Sequence, residues 1–584
     1  MIPVRAYWRL LNRYLRPLRA RVIVLAVLLF TGIAFQVLNP QLIRRFIDRA
    51  QQGADLGELL ALAAWFMLLA VGYQVLNVTA TYFAQHVGWT ATNEMRARLT
   101  EHLLDLDMSF HKTKTPGELI ERVDGDVTTL SNFFSSFVIH VVGNAVLIAA
   151  IVALMWAEHW AIGLAMTVFA SLAMFGMIRL QAIAIPWWRE VRAKRAAFFG
   201  FLGEQLGGTE DIRANGAVPY MMHRFTLIHR EWLPLEVRGR FGFSLLWATS
   251  IAVYVFGLGL VFGLGSVLLN DGVVTIGSVY LVFHYTDMIR HPIDQIRTQM
   301  EDLQKAGAGI ARVEELFAAT TQLPETGETF LPSGPLAVEF DGVDFSYRDE
   351  QSDGEIVLED LTLRIDEGRV LGILGRTGSG KSTMARLLTR LYDPVGGTLR
   401  IGGVDLRAVD RGDRRARIGM VTQEVQLFRA TVRENLTFFD DTVPDERIWS
   451  VLFELGMGDW VSSLTLGLDT MLESGSGGLS AGQAQLLAFA RIFLGDPGLV
   501  ILDEASSRLD PATEMLIERA VGRLLTDRTG VIIAHRLATV DRADDVLILE
   551  RGRIAEFGAR RELAADPNSR FSALLRTGME ELLA

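Results

Sequence analysis

The sequence predicts two joined domains of different class: a polytopic α-helical membrane domain with six spans over residues 1–320, and an α/β domain over residues 336–584. Three observations lead there. Residues 22–43, 59–93, 127–157, 159–178 and 241–270 contain no Asp, Glu, Lys or Arg, and each run is long enough to cross a bilayer as a helix. The composition agrees, with 50% hydrophobic and 21% charged residues and a mean hydropathy of +0.26; a soluble chain carries about 25% charge. Beyond residue 336 the pattern changes to short β-rich runs alternating with helical stretches, which is the signature of a largely parallel sheet.

The sixth span is the weakest. Residues 272–286 are uncharged but few, and they follow the fifth run after an Asn270-Asp271-Gly272 turn. The helical pattern then continues, more polar, through Arg312. The expectation is one long helix whose inner half leaves the lipid. Orientation follows from flanking cations. Residues 1–47 hold Arg5, Arg9, Arg13, Arg16, Arg19, Arg21, Arg44 and Arg45 and no acid. The loops after the second and fourth spans carry Arg96, Arg98, Lys112, Lys114, Arg122, Arg189, Arg192, Lys194 and Arg195, whereas the opposite loops are short and mostly acidic. The N-terminus, the long loops and everything after the sixth span are therefore expected on the cytoplasmic side of an inner membrane. Tyr7, Trp8, Leu11, Tyr14, Leu15 and Leu18 recur at helical spacing between arginines, which suits a helix lying on the membrane surface. Too many arginines interrupt it for a secretory signal.

Composition also excludes chemistry. The chain has no cysteine, so disulfides, thiolate zinc sites, Fe–S clusters and a cysteine nucleophile are ruled out. A net charge of −11 gives no reason to expect a nucleic-acid partner.

Residues 320–335, rich in Thr, Pro, Gly and Glu, read as a linker, with the second domain starting at 336. Its β-rich runs are 336–340, 370–374, 419–422, 499–502 and 530–534. The second of these leads into Gly375-Arg376-Thr377-Gly378-Ser379-Gly380-Lys381-Ser382-Thr383. A G-x-x-x-x-G-K-S run between a strand and a helix is a P-loop. Its backbone N–H groups face a phosphate chain, helped by the helix N-terminus. Lys381 would reach the β- and γ-phosphates, and the Ser382 hydroxyl would ligate Mg²⁺. A second apolar run ends in Asp503-Glu504. Asp503 fits the Mg²⁺-linked acid of P-loop enzymes; Glu504 stands where a water attacking the γ-phosphate needs a carboxylate.

Between these two lies Leu479-Ser480-Ala481-Gly482-Gln483, and here the set resembles the ATP-binding cassette (ABC) superfamily. The resemblance implies that Tyr347 is the aromatic residue stacking on adenine. It makes Gln423 the Q-loop glutamine, which also faces the metal, and Ser480, Ala481, Gly482 and Gln483 the signature that serves a partner's ATP. Asp510 becomes the D-loop acid and His535 the switch histidine. Six spans followed by one cassette resemble an exporter half-transporter. Residues 115–119 and 123–126 resemble its first coupling loop, and residues 212–217 its second. ATP and Mg²⁺ are the implied cofactors, a second half-transporter and the bilayer the implied partners, and amphiphilic drug-like or lipid-like molecules the implied cargo. An ATP-gated channel or an importer on the same scaffold stays open.

Two positions depart from the family pattern: Ala481 stands where the signature has glycine, and Arg508 where the D-loop usually has alanine. An altered signature beside an intact Glu504 favours a heterodimer over a homodimer. For the substrate, one clue stands in the sixth span. His284, Asp287, His291 and Asp294 fall at i, i+3, i+7 and i+10, one face of a helix, where ionisable groups at membrane depth line a cavity. His140 and Asn144 in the third span form a second polar spot suited to inter-helix hydrogen bonding.

Overall fold

The computed structural model describes residues 16–131, 138–323, 327–347, 356–473, 479–503, 511–534 and 540–577. Most of the amphipathic segment before Arg16 lies outside them. The chain forms two units: one comprises Met1–Leu104 and Gly117–Ala319, the other Asp105–Pro116 and Thr320–Ala584.

The membrane unit is built on six long helices: α1 (Arg19–Gln51), α2 (Leu56–Asp105), α3 (Asn144–Glu158), α4 (Trp160–Gly207), α5 (Val218–Asn270) and α6 (Ile276–Ala318). Among the described residues, five helices are long and apolar enough to cross a membrane. The one that falls short is α6, whose interior carries Asp287, Arg290, His291 and Asp294. It is nonetheless central to the packing. Leu281, Tyr285 and Ile289 on α6 are fully buried, against Ile151 and Met155 of α3 and Met166 of α4. Large apolar side chains such as Trp65, Leu68, Val71 and Val75 on α2 stay exposed, as a lipid-facing surface requires. The α5–α6 turn forms as expected, with Gly272 at φ +68, a backbone conformation that glycine adopts without Cβ strain.

Polar contacts tie the helices at both ends. Glu158 at the end of α3 accepts from Arg44 of α1 (2.5 Å) and from the Ser278 hydroxyl of α6 (2.6 Å). Asp48 of α1 accepts from the Gly277 N–H (3.0 Å) and the Thr275 hydroxyl (2.9 Å). At the other end Asp126 is 5% exposed and receives both Arg312 Nε and Arg312 Nη2, with Arg122 at 3.7 Å. Asp126, read from sequence within the first coupling loop, thus braces a π-helical turn, Glu121–Asp126, against the α6 extension. A carboxylate this buried needs such partners, and Asp126 with its hydrogen bonds holds the Arg312 pKa above its ordinary value.

The second unit has two sheets. Strands β1 (Val338–Ser346), β2 (Ile356–Ile365), β3 (Val370–Leu374), β4 (Gly396–Ile401), β5 (Val404–Asp405), β6 (Ile418–Val421), β7 (Leu499–Asp503), β8 (Thr529–Ile533), β9 (Asp545–Glu550) and β10 (Arg553–Ala559) run in chain order. The larger sheet has the order β10-β9-β3-β8-β7-β6 and is parallel except at β10–β9. The smaller, β2-β1-β4-β5, is antiparallel. The larger sheet is the largely parallel one expected; the antiparallel sheet is an addition to it. Its strands bury one face: β1 alternates buried Val338, Phe340, Val343 and Phe345 with more exposed residues. Glu359, Asp360 and Arg364 interrupt the apolar character of β2, which hid it in the sequence. β3, β7 and β8 are buried at every position, as a sheet covered on both faces demands.

Candidate functional site

The larger sheet fixes the site. β3 and β7 both pair with β8, in parallel, and Ile533 of β8 is the register partner of both Ile373 and Asp503. Hence the end of β3 and the carboxylate of Asp503 emerge on one edge, two strand spacings or roughly 10 Å apart. Ligands of open parallel sheets bind at that edge. From β3 the chain passes through Gly375–Gly380 into helix α7 (Lys381–Leu388). Gly380 caps α7 at φ +105, and a Cβ there would meet the Leu358 side chain, so glycine is required. Such a loop can cradle a phosphate with its N–H groups.

Lys381 is 6% exposed, and its Nζ donates to the carbonyls of Gly375 (2.6 Å) and Arg376 (3.0 Å). A buried ammonium facing neutral carbonyls is poised to exchange them for an anion. Asp503 is 8% exposed. Thr383, on the first turn of α7, lies with its Oγ1 3.0 Å from the Tyr347 hydroxyl, and Arg386 Nη1 donates to the same hydroxyl at 3.0 Å. The rings of Phe345 and Tyr392 stand perpendicular to Tyr347 at 4.8 and 5.2 Å. Tyr347 is therefore fastened beside the first turn of α7. Gln423 is exposed in the bend after β6.

The segment Ser480–Gln483 opens helix α8 (Ala481–Gly495) with a capping box: Gln483 N donates to Ser480 Oγ (3.2 Å), and Ser480 N to Gln483 Oε1 (3.0 Å). Both side chains are used in the cap. Ala481 is exposed and Gly482 buried, leaving the end of α8 open to an external group. Glu504, Arg508, Asp510 and His535 lie outside the described residues.

Sequence reasoning missed Arg386, and it missed Arg491 on α8. Arg491 donates to the carbonyls of Asn435 (2.7 Å) and Gln426 (3.1 Å) and to Asn435 Oδ1 (3.2 Å), and lies over the Phe438 ring at 4.6 Å. Burial lowers its pKa to about 10. It links the signature helix to the chain that follows Gln423. An arginine in a helix interior carries no local mark of such a role.

In the membrane unit a cavity of about 420 Å³ opens between α1, α2, α6 and the entry to α3. His284, Asp287 and His291 line it; Asp294, expected on the same face, is not among the lining residues. His140 and Asn144, read as a separate polar spot, join the same wall, and Asn144 Nδ2 donates to Gln295 of α6 at 2.7 Å. Leu28, Ile33, Leu76 and Leu147 supply an apolar wall.

Residues 22–288 match the ABC transporter transmembrane region and residues 358–507 the ABC transporter cassette. An ATP-dependent lipid A-core flippase of Idiomarina loihiensis is 28% identical over 94% of this chain and 94% of its own. A multidrug efflux ATP-binding/permease protein of Mycobacterium bovis is 29% identical over 95% of this chain and 46% of its own. In fold, the chain matches a bacterial Atm1-family ABC exporter solved with ATP bound, with a TM-score of 0.78 and 22% identity over 96% of this chain and 98% of the other. With a membrane region and a cassette of one family fused in a single polypeptide, the chain belongs to the ABC transporters of exporter type, as a multi-pass membrane protein that hydrolyses ATP.

Proposed function

We propose that the chain is one half of an exporter that pairs with a second half-transporter in the inner membrane, cassette on the cytoplasmic side, and moves amphiphilic drug-like or lipid-like molecules outward. The observation that carries the substrate class is the cavity, whose lining mixes apolar Leu28, Ile33, Leu76 and Leu147 with polar His140, Asn144, His284, Asp287 and His291. Its size is in the range of small-molecule sites, and a second chain would enlarge it.

In the nucleotide cycle Tyr347 stacks the adenine, and the N–H groups of Arg376–Thr383 with Lys381 hold the phosphates. Ser382, Gln423 and Asp503 form an oxygen-only donor set, which suits Mg²⁺; when bound, that ion neutralises charge on the transferring phosphoryl group. Glu504 orients the attacking water, and His535 bonds the γ-phosphate. The N-terminus of α8 faces the ATP of the partner, and Asp510 takes the part of the D-loop acid. ATP then acts as a ligand that favours joined cassettes and an outward-facing membrane domain, and hydrolysis releases them. The test is reconstitution of the purified protein in liposomes with ATPase and transport assays. Stimulation by amphiphiles is expected; stimulation by small hydrophilic solutes alone would overturn the substrate class.

A further inference from the structure

The segment Asp105–Pro116 follows α2 in the chain, yet it packs as part of the cassette unit. Acidic residues fix it there. Asp105 pairs with Arg411 at 3.5 Å. Asp107, 9% exposed, divides its carboxylate. One oxygen caps the short helix Met108–Thr113 through the N–H groups of Ser109 (3.0 Å) and Phe110 (3.2 Å). The other accepts from Gln322 N (2.5 Å) and the Thr321 hydroxyl (3.2 Å). With its start pinned and its first turn capped, the short helix delivers Lys112 to one place: its Nζ stands 4.3 Å from the centroid of the Tyr347 ring. That is well inside the range of a cation–π contact.

Tyr347 is the aromatic ring tied to the P-loop helix through Thr383 and Arg386. A planar base stacking on it needs the ring face at a centroid distance of about 4.5 Å, which is the distance Lys112 Nζ already occupies. A base approaching the face that Lys112 covers would have to displace the lysine, since one face cannot hold both at once. The phosphate end of the slot has a parallel arrangement, where Lys381 Nζ is satisfied by the Gly375 and Arg376 carbonyls. At each end a lysine makes a contact within the protein at a position the nucleotide would need.

We propose that Lys112 competes with the nucleotide base for the face of Tyr347, so that base binding releases Lys112 and signals occupancy directly to the polypeptide following α2. The inference rests on the reading of Gly375–Thr383 as the triphosphate site and adds a residue that acts at the base alone. Lys112 is a positioning residue here: it touches the ring that receives the base and takes no part in phosphoryl transfer.

The experiment is equilibrium binding of ATP and of inorganic tripolyphosphate to the full-length purified protein and to Lys112→Ala, Lys112→Arg and Tyr347→Ala. Because Lys112 is exposed, the contact is at the weak end of its class, and its removal should tighten ATP binding about two- to fivefold. Tripolyphosphate, which has no base, should bind wild type and Lys112→Ala equally. Lys112→Arg keeps a cation over the ring and should retain wild-type ATP affinity. In a Tyr347→Ala background the effect of Lys112→Ala should vanish, the mark of a direct pairwise contact. ATP affinity unchanged or weakened in Lys112→Ala would overturn the proposal, as would an equal gain for tripolyphosphate. Wild-type protein that binds neither ligand would overturn it together with the triphosphate reading, whereas normal tripolyphosphate binding without the base-specific gain would overturn the lysine's role alone.

Discussion

The nucleotide site and the membrane cavity are both pockets that gather polar groups, but they are made by opposite means. In the cassette, Gly375 to Thr383 is one continuous run whose shape is set by backbone: a buried strand, a glycine at φ +105 and a helix start. Each step demands a particular residue type. In the membrane unit the cavity draws on Gln36 of α1, Asn77 of α2, His140 and Asn144 at the entry to α3, and His284, Asp287, His291 and Gln295 of α6. No backbone feature dictates those residues; packing brings them together. A site of the first kind tolerates little variation, and one of the second can change its ligand without disturbing the fold.

The largest effects should follow from the first kind. Glu504→Gln keeps the phosphate cradle and removes the carboxylate proposed to orient water, so ATP hydrolysis should fall about 10²- to 10⁴-fold while ATP still binds. Single-turnover and binding assays on purified protein decide it; near-normal turnover would show that another group supplies the base. Lys381→Ala should act on binding itself. It removes a charge-assisted contact of about 1.5–3 kcal/mol, a loss of roughly ten- to a hundredfold in ATP affinity by titration. Unchanged affinity would break the contrast between the two sites.

Legibility in the sequence follows the same division. The P-loop, the strand ending in Asp503 and the start of α8 could be read because their residues are adjacent and their chemistry is local. The Gln483 side chain has a local job beside the one read from the motif: it closes a capping box, which needed only Ser480 three positions earlier. β2 was obscured by charges on its exposed face, and α6 was weak as a span because of its polar residues, of which Asp287 and His291 serve the cavity. Asp126 was placed in a coupling loop, whereas its burial against Arg312 depends on a residue 186 positions away. No local pattern carries that. Lys112 and Arg491 are of the same kind: cations whose partners are rings and carbonyls far off in the chain.

A sharper cut is available inside α6. Asp287 lines the cavity and Asp294 does not, although both sit on one helical face. Asp287→Asn should weaken stimulation of the ATPase by amphiphiles, with about a tenfold rise in the concentration needed if a charged hydrogen bond to substrate is lost. Basal hydrolysis should persist, and Asp294→Asn should leave stimulation intact. Equal effects of the two would mean that the helical face, not the cavity wall, is what matters.

The smallest effect expected is at Ala481, and it bears on whether the working pair is made of like chains. Ala481 is exposed at the first position of α8, after a closed capping box, so among the described residues its methyl group faces outward. Any cost falls on what approaches that helix end from outside, which in the proposed cycle is the ATP held by the partner. In a pair of identical chains both sites would meet that methyl group; in a mixed pair the site built from Lys381 and Glu504 of this chain would meet the partner's signature instead. The protein expressed alone should then hydrolyse ATP slowly. Ala481→Gly should raise the rate about fivefold, the effect of relieving ~1 kcal/mol of crowding. The gain is opposed by the lower helix propensity of glycine, which costs the helix up to about 1 kcal/mol and should appear as a slightly lower Tm of the cassette. Co-expression with a second half-transporter should restore turnover without the substitution. A stable homodimer with fast, cooperative hydrolysis that Ala481→Gly leaves unchanged would show that the methyl group is tolerated and that two copies of this chain suffice.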